Sequence, residues 1–478
     1  MSEISDFGAA ILAVSAAIFV ALLGMRLADR VAIPYAAIFL AGAMLLGELV
    51  PEAERLLSTR EVERIVVVAL VVILFHGGLH IGLGRFRRSA GPILALGILG
   101  TFITAGLVAL AARYLLGFGW IEAGLVGAAV APTDPAVTFS VFGAREIRGR
   151  AGTILEGEAG MNDPVGIAVM IGMIELATED GGDLWVVARE FTVEMAVGLV
   201  VGVVGALLLL PVMRRVRLTG PALYPIRVLA GAGIVYGLAA VAGGSGFLAV
   251  FVAGLVLGDA TATRKGEIED FHASLAGLAE IAAFVALGLS IGISDLGELD
   301  LWVDGLAIAV VLACVARPVA VLPLLLPARL RWGERLFVVW GGLKGAVPIL
   351  LGSLAVIAGV DGAERLYGLV FIVVLFSVVV QGATVPRAAT RLRIPFRRVD
   401  HDLAEVLEFV VRDHAYASGR AVGELPLGER AWVGVLIRDG RPLPVETGTV
   451  FRPGDRVHVY SQPEDAAVLG RIFAGASE

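Results

Sequence analysis

From residue 8 to about residue 389 the chain repeats one pattern: an apolar run of about 20 residues, then a short polar stretch. About 20 apolar residues in a helix span the hydrocarbon core of a bilayer, so each run predicts a transmembrane helix. The runs fall at 8–25, 31–50, 62–84, 90–114, 121–143, 153–177, 191–213, 223–242, 246–258, 272–293, 301–326, 335–359 and 364–389, thirteen in all. The ninth is short and is set off from the eighth by Gly243-Gly244-Ser245-Gly246, a helix-breaking cluster. Two runs are interrupted. The fifth contains Ala131-Pro132-Thr133-Asp134-Pro135, and the twelfth contains Gly341-Gly342-Leu343-Lys344-Gly345, then Pro348. Proline removes a backbone donor and clashes with the preceding turn. Breaks at membrane depth survive only where they are buried in protein or line a cavity. The two lie seven runs apart, so a repeat of runs 1–6 in runs 8–13 would be inverted. Inverted repeats with paired broken helices mark secondary transporters that bind at the midplane. The breaks alone carry this expectation, since the halves share no residue-level identity.

After Arg398 the pattern changes. Residues 402–470 mix charged and apolar positions without a run of spanning length. Trp432 to Arg438 reads as a strand closed by a turn at Asp439-Gly440. Arg452-Pro453-Gly454-Asp455 reads as a second turn, followed by the alternating strand Val457 to Tyr460. A short helix is predicted at 402–413. This is a small cytosolic α+β module at 402–478, joined by a basic linker at 391–401 to a membrane domain at 1–390.

Composition agrees with a polytopic membrane protein. The 478 residues are 58% hydrophobic and 17% charged, with mean hydropathy +0.86, against roughly 45–50% and about 25% in soluble domains. That excludes a large soluble α/β protein. Sixty-one glycines suit close helix packing in lipid. The one cysteine, Cys314, lies in an apolar run, so it forms no disulfide within the chain and says nothing of compartment. Met1 to Asp6 is acidic and lacks the basic region of a signal peptide, so the first run is expected to stay as a helix. The net charge of −7 suggests no nucleic-acid partner.

Charge also orients the runs. Arginine or lysine follows every odd one: Arg26 and Arg30; Arg85, Arg87 and Arg88; Arg145, Arg148 and Arg150; Arg214, Arg215 and Arg217; Arg264 and Lys265; Arg329, Arg331 and Arg335; and Arg387 to Arg398. The intervening loops are mostly acidic or neutral, as at Glu179-Asp180 and Asp361. By the positive-inside rule the odd runs end in the cytoplasm, with the N-terminus outside and the C-terminal module inside the plasma membrane.

Two acids at membrane depth carry the chemistry. Asp134 lies in the break of the fifth run and Asp163 in Asn162-Asp163-Pro164 of the sixth. An acid at a membrane helix centre costs roughly 2.5–3.5 kcal/mol on insertion scales, so it marks function. Carboxylate, amide oxygen and carbonyls freed by proline are hard oxygen ligands that suit an alkali cation. A lone carboxylate in low dielectric takes up a proton or a cation, but hardly both, and that competition suffices for cation–proton exchange. Thr133 offers a hydroxyl from the crossing helix. At 100° per residue Glu158 points about 140° away from Asp163, toward a neighbouring helix. Two buried bases need partners: Arg317 is a match for Glu158, and Lys344 for the helix ends at the crossing. Asp134 has a simpler reading as a cap for backbone donors. His76 is a candidate pH-sensitive group, and His80 sits near the cytoplasmic interface.

Leu155-Glu156-Gly157-Glu158-Ala159-Gly160-Met161-Asn162-Asp163-Pro164 resembles the Asn-Asp signature of NhaP-type monovalent cation/proton antiporters. Thr133-Asp134-Pro135, Ala316-Arg317-Pro318 and Trp340 to Pro348 resemble the same family, as do Phe247 to Gly258 and Phe271 to Leu289. The tail, with Val422 to Pro426, Ile437 to Gly440 and Pro453-Gly454-Asp455, resembles the TrkA C-terminal domain, a pairing similar to the potassium/proton antiporter branch. The resemblance implies an all-α, NhaA-like antiporter fold in a homodimer with a moving six-helix core. It implies Asp163 as the exchanged cation and proton site, Thr133 as a further ligand, Asn162 and Asp134 holding the crossing, and a Glu158–Arg317 pair. It implies electroneutral exchange of K⁺ for H⁺, with Na⁺ as the rival cation, and a nucleotide-like regulator at the tail. No enzymatic activity and no cofactor are expected. Three positions depart from the family pattern: Ala159 for a serine, His76 for an acid, and Lys344 for an arginine. A gated channel is the alternative of another class, and no selectivity-filter-like sequence supports it.

Overall fold

In a bilayer every backbone polar group must be satisfied internally, which is why apolar runs become helices. The computed structural model describes residues 34–49, 57–134, 137–138, 142, 145–147, 149–178, 184–292, 296–297, 301–398, 405–427, 431–461 and 465–475, with isolated positions before residue 34. Apart from those isolated positions the run at 8–25 lies outside the described residues, as do Arg26, Arg30, Pro135 and Arg148.

Two compact units follow the change of pattern near Arg398: residues 1–397 and 398–478. Within the first, α1 is Tyr35–Leu49 and α2 is Thr59–Leu94, opened by a capping box between Ser58 and Glu61. At Gly82 (φ 67°, ψ 154°) α2 is broken, so the third and fourth predicted helices meet there. The break is pinned by the Gly84 N–H, which donates to Asp259 Oδ2 at 2.5 Å. A π-helical segment, Ala95–Gly100, leads into α3, Thr101–Leu115. Then come α4 (Trp120–Val130), α5 (Arg150–Thr178), α6 (Leu184–Arg215), α7 (Leu223–Val241), α8 (Gly246–Gly258) and α9 (Lys265–Leu289). Next are α10 (Trp302–Val311), π-helical Leu312–Ala316 and α11 (Arg317–Leu325). α12 (Trp332–Trp340) and α13 (Ala346–Ile357) flank an unwound stretch. α14 (Ala363–Phe376), π-helical Ser377–Gln381 and α15 (Gly382–Arg391) close the unit.

Among the described residues, seven helices are long and apolar enough to cross a membrane, and α1, α4, α8 and α13 are shorter apolar helices. Both predicted breaks appear as unwound backbone, at 131–134 and 341–345. Ser245 caps α8, so the glycine cluster does separate the eighth and ninth runs. Helix α8 threads the middle of the unit against α2. There Gly78 and Gly254 face one another, and a Cβ on Gly254 would lie 2.5 Å from the Phe75 carbonyl oxygen. Only glycine permits that approach.

The second unit is a four-stranded antiparallel sheet over one helix. Strands β1 (Glu405–Val410), β2 (Trp432–Arg438), β3 (Arg441–Leu443) and β4 (Arg456–Ser461) lie in the order β1-β4-β2-β3, with α16 at Ala466–Phe473. The helix expected at 402–413 is thus wrong: Glu405–Val410 is a strand. Residues 402–404 lie outside the described residues. Leu407 and Phe409 alternate with Glu408, a period of two, and Phe409 stacks on Phe473 of α16 at 5.6 Å. The predicted strands and turns are present, with Asp439 and Gly440 at φ 50° and 75° and Gly454 at 88°.

Asp455, 1% exposed, holds the second turn to the sheet. It accepts from Arg438 Nε and Nη2, both at 2.8 Å, and from the Arg452 N–H at 2.7 Å. Burial works to raise its carboxyl, but the Arg438 and Arg452 hydrogen bonds and charges outweigh it and hold it below the usual carboxylate range. A depressed folded value gives stability that is full above the unfolded value, about 3.9, and lost as pH falls through the folded one. Asp455→Asn is therefore expected to destabilise this unit at neutral pH by about 1–3 kcal/mol. The difference from the parent should shrink below about pH 4, as thermal unfolding across pH would show.

Candidate functional site

The unwound stretches after α4 and between α12 and α13 cross and are tied together. The Asp134 N–H donates to the Leu343 carbonyl at 2.8 Å, and Thr138 Oγ1 donates to the Gly341 carbonyl at 2.5 Å. Two half-helices thus present C-terminal carbonyls inside the protein, where no solvent satisfies them. A base from elsewhere meets each. Lys344 Nζ donates to the carbonyls of Ala131 and Pro132, at 2.7 and 2.9 Å, just past the end of α4. Arg317 Nε and Nη2 donate to the carbonyls of Val339 and Val338, at 2.9 and 3.2 Å, at the end of α12. Positive charge at a helix C-terminus also complements its dipole. The Arg317 fork is completed by Glu158, whose two oxygens accept at 2.9 and 3.1 Å. A Cβ on Gly345 would overlap the Asp134 carboxylate, which places that acid at the start of α13.

Helix α5 runs past the crossing and joins it through Asn162. Its Nδ2 donates to Thr133 Oγ1 at 2.8 Å, and its Oδ1 accepts from the Thr133 N–H at 3.3 Å. One residue on, Asp163 is 5% exposed and its Oδ1 has no hydrogen-bond partner. It faces a cavity of about 790 Å³. Asp134, Ala159, Gly160 and Ala346 line the cavity near it, and Arg85, Arg88 and Arg150 line it too. These arginines follow the third and fifth predicted helices, so the cavity joins Asp163 to the basic ends of the bundle.

Thr133, Asp134, Asn162, Asp163 and Lys344 therefore lie together, with the Glu158–Arg317 pair on the other side of α5. His76 lies apart from the crossing, on the cavity wall. Its Nδ1 is unpartnered and its ring stacks 6.2 Å from that of His80. His80 also lines the cavity, with Nδ1 3.4 Å from Glu156. Ala159 faces the cavity without a polar group beside Asp163. Three supports went unread in the sequence. Ser377 Oγ accepts from the Lys344 N–H at 2.8 Å, Gln381 Nε2 donates to the Trp340 carbonyl at 2.7 Å, and Thr138 ties the breaks. A fourth omission, Glu280, lines the cavity from α9.

Apolar helices with unwound, crossing segments around a buried carboxylate define a membrane transporter. The family model described as sodium/hydrogen exchanger, transmembrane, matches residues 15–391, and the TrkA-C domain model matches residues 406–474. The chain belongs to the sodium/hydrogen exchanger family and carries a TrkA-C domain. It is 30% identical over 471 residues to the K(+)/H(+) antiporter NhaP2 of Shewanella oneidensis, covering 95% of this chain and 81% of that protein. The K(+)/H(+) antiporter NhaP of Alkalimonas amylolytica is also 30% identical, over 98% of this chain and 83% of that one. The Na(+)/H(+) antiporter NhaH of Halobacillus aidingensis is 30% identical over 72% of this chain and 87% of its own. In fold, the chain is similar to the sodium proton antiporter MjNhaP1 from Methanocaldococcus jannaschii, with a TM-score of 0.67, 23% identity, and coverage of 80% of this chain and 100% of that one.

Proposed function

We propose that this protein exchanges K⁺ for H⁺ across the plasma membrane, electroneutrally and by alternating access, with cation and proton competing at Asp163. One observation carries the reading: the buried Asp163 carboxylate has an oxygen without a partner at a cavity that reaches the basic helix ends. A proton or a dehydrated cation neutralises it equally well, and one negative charge cannot hold both. Thr133 and nearby carbonyls are the further ligands, while Asn162, Asp134 and Lys344 hold the crossing. Glu158 is already neutralised by Arg317 and takes no part in the exchange.

In this reading residues 1–390 form thirteen transmembrane helices with an inverted repeat, the N-terminus outside. Residues 391–401 are a basic linker, and 402–478 a cytoplasmic regulatory domain for a nucleotide-like ligand. The cavity with its arginines then faces the cytoplasm, and two chains form a homodimer. K⁺ is favoured over Na⁺ because the relatives named for K⁺ match nearly the whole chain, tail included. Dye-reported proton flux in proteoliposomes, with K⁺, Na⁺ and Li⁺ compared across pH, tests the reading. K⁺ should drive flux insensitive to membrane potential. Its half-saturating concentration should rise about tenfold per unit fall in pH once the carboxyl is mostly protonated. Flux driven by Na⁺ and not by K⁺ would assign the rival cation.

A further inference from the structure

Helix α9 presents Ala273, Ala276, Gly277, Glu280, Ala283 and Phe284 to the cavity. The spacing of three and four residues is one face of a helix. Five of these side chains are apolar or absent, and Glu280 is the one charge among them. Small neighbours leave room in front of it. Among the described residues the Glu280 carboxylate makes no hydrogen bond and no ion pair, though it feels the charge of Asp134. Glu280 lies 15 residues from Lys265, at the basic start of α9, or about 22 Å along the helix. Asp163 lies 13 residues from Arg150, at the basic start of α5, or about 20 Å along it. Among the described residues, two carboxylates that form no salt bridge thus line one cavity at matching depth. Asp163 also has a buried oxygen with nothing to accept from.

We infer that Glu280 is a second cation-binding carboxylate, which draws the monovalent cation into the cavity and shares it with Asp163. This rests on Asp163 as the exchange site and deepens that reading. On α5 itself, Asp163 has Ala159 and Gly160 as its neighbours on the cavity wall, neither of which carries a side-chain oxygen. Glu280 supplies a hard oxygen from the α9 wall of the same cavity, and its charge acts on the bound cation without taking part in the obligatory exchange at Asp163. A fixed negative charge on the cavity wall attracts a cation held in that cavity, so affinity is the quantity it sets.

The test is K⁺-driven proton flux in proteoliposomes of the full chain carrying Glu280→Gln or Glu280→Asp, with Asp163→Asn in parallel. Glu280→Gln should raise the half-saturating K⁺ concentration about tenfold while the maximal rate stays within about twofold. Glu280→Asp, which keeps the charge, should return it most of the way. Complete loss of flux in Glu280→Gln would overturn the assignment, because it would make Glu280 part of the obligatory exchange. An unchanged half-saturating concentration in Glu280→Gln would overturn it, as would equal impairment in both variants. Flux persisting in Asp163→Asn would instead remove the exchange site itself, an outcome readable apart from the other two.

Discussion

Asp163→Asn should reduce cation-driven proton flux to that of empty liposomes while leaving the protein folded. The substitution keeps shape and volume. The free Oδ1 of Asp163 has no protein partner to lose, and Asn162, which ties α5 to Thr133, is untouched. What disappears is the charge. An amide neither takes up a proton near neutral pH nor balances a cation, so both halves of the exchange stop together. The substitution also takes away a charge that is costly at membrane depth. The unfolding temperature in detergent should therefore hold or rise. Flux above background in a well-behaved Asp163→Asn preparation would sink Asp163 as the exchange site. Glu156→Gln, also on the cavity wall, is the matched control and should keep exchanging.

The fold was legible where the signal is local. Pro132, with Gly341 to Gly345, marks the two breaks in the chain, although proline alone does not decide it, since Pro164 lies inside α5 and Pro211 inside α6. The divergence of Glu158 and Asp163 was legible too, since 100° per residue decides which acid faces which neighbour. Lys344 and Arg317 could be matched to helix ends and to Glu158 because a buried base has few partners of the right sign. Ser377 and Gln381 were not legible. Nothing local marks a serine or glutamine in the last apolar run as a support for residues 33 or 41 positions away. Glu280 is not legible for another reason: it stands at the centre of the tenth run without a proline or asparagine beside it. The break between the third and fourth helices sits at Gly82, not among the arginines that follow, because a positive φ is available to glycine and Asp259 waits to bind the exposed amide. The strand at Glu405–Val410 reads as a helix in the sequence because six residues barely separate a period of two from one of 3.6.

Breaking the Glu158–Arg317 pair should have the largest effect on stability. The two side chains are 2% and 3% exposed and joined by two hydrogen bonds. Removing one partner of a buried pair leaves an uncompensated charge and typically costs 3–5 kcal/mol. Arg317→Ala should fall at the upper end of that range, because Arg317 also satisfies the carbonyls of Val338 and Val339 at the end of α12. Arg317→Lys should recover little. A single ammonium cannot span both Glu158 oxygens and two carbonyls, whereas the planar guanidinium does so with a fixed fork. Space enforces the same point, since the guanidinium lies where a Cβ on Gly342 would stand. Glu158→Gln keeps the α12 carbonyls bonded and should be the milder change. The double variant Glu158→Met with Arg317→Met should be more stable than Arg317→Met alone, because it removes the stranded acid. It should not reach the parent, because the two carbonyls stay unpaired. Unfolding temperatures and monodispersity in detergent rank the variants. Arg317→Ala within about 1 kcal/mol of the parent would show that the pair is not what holds α12 against α5.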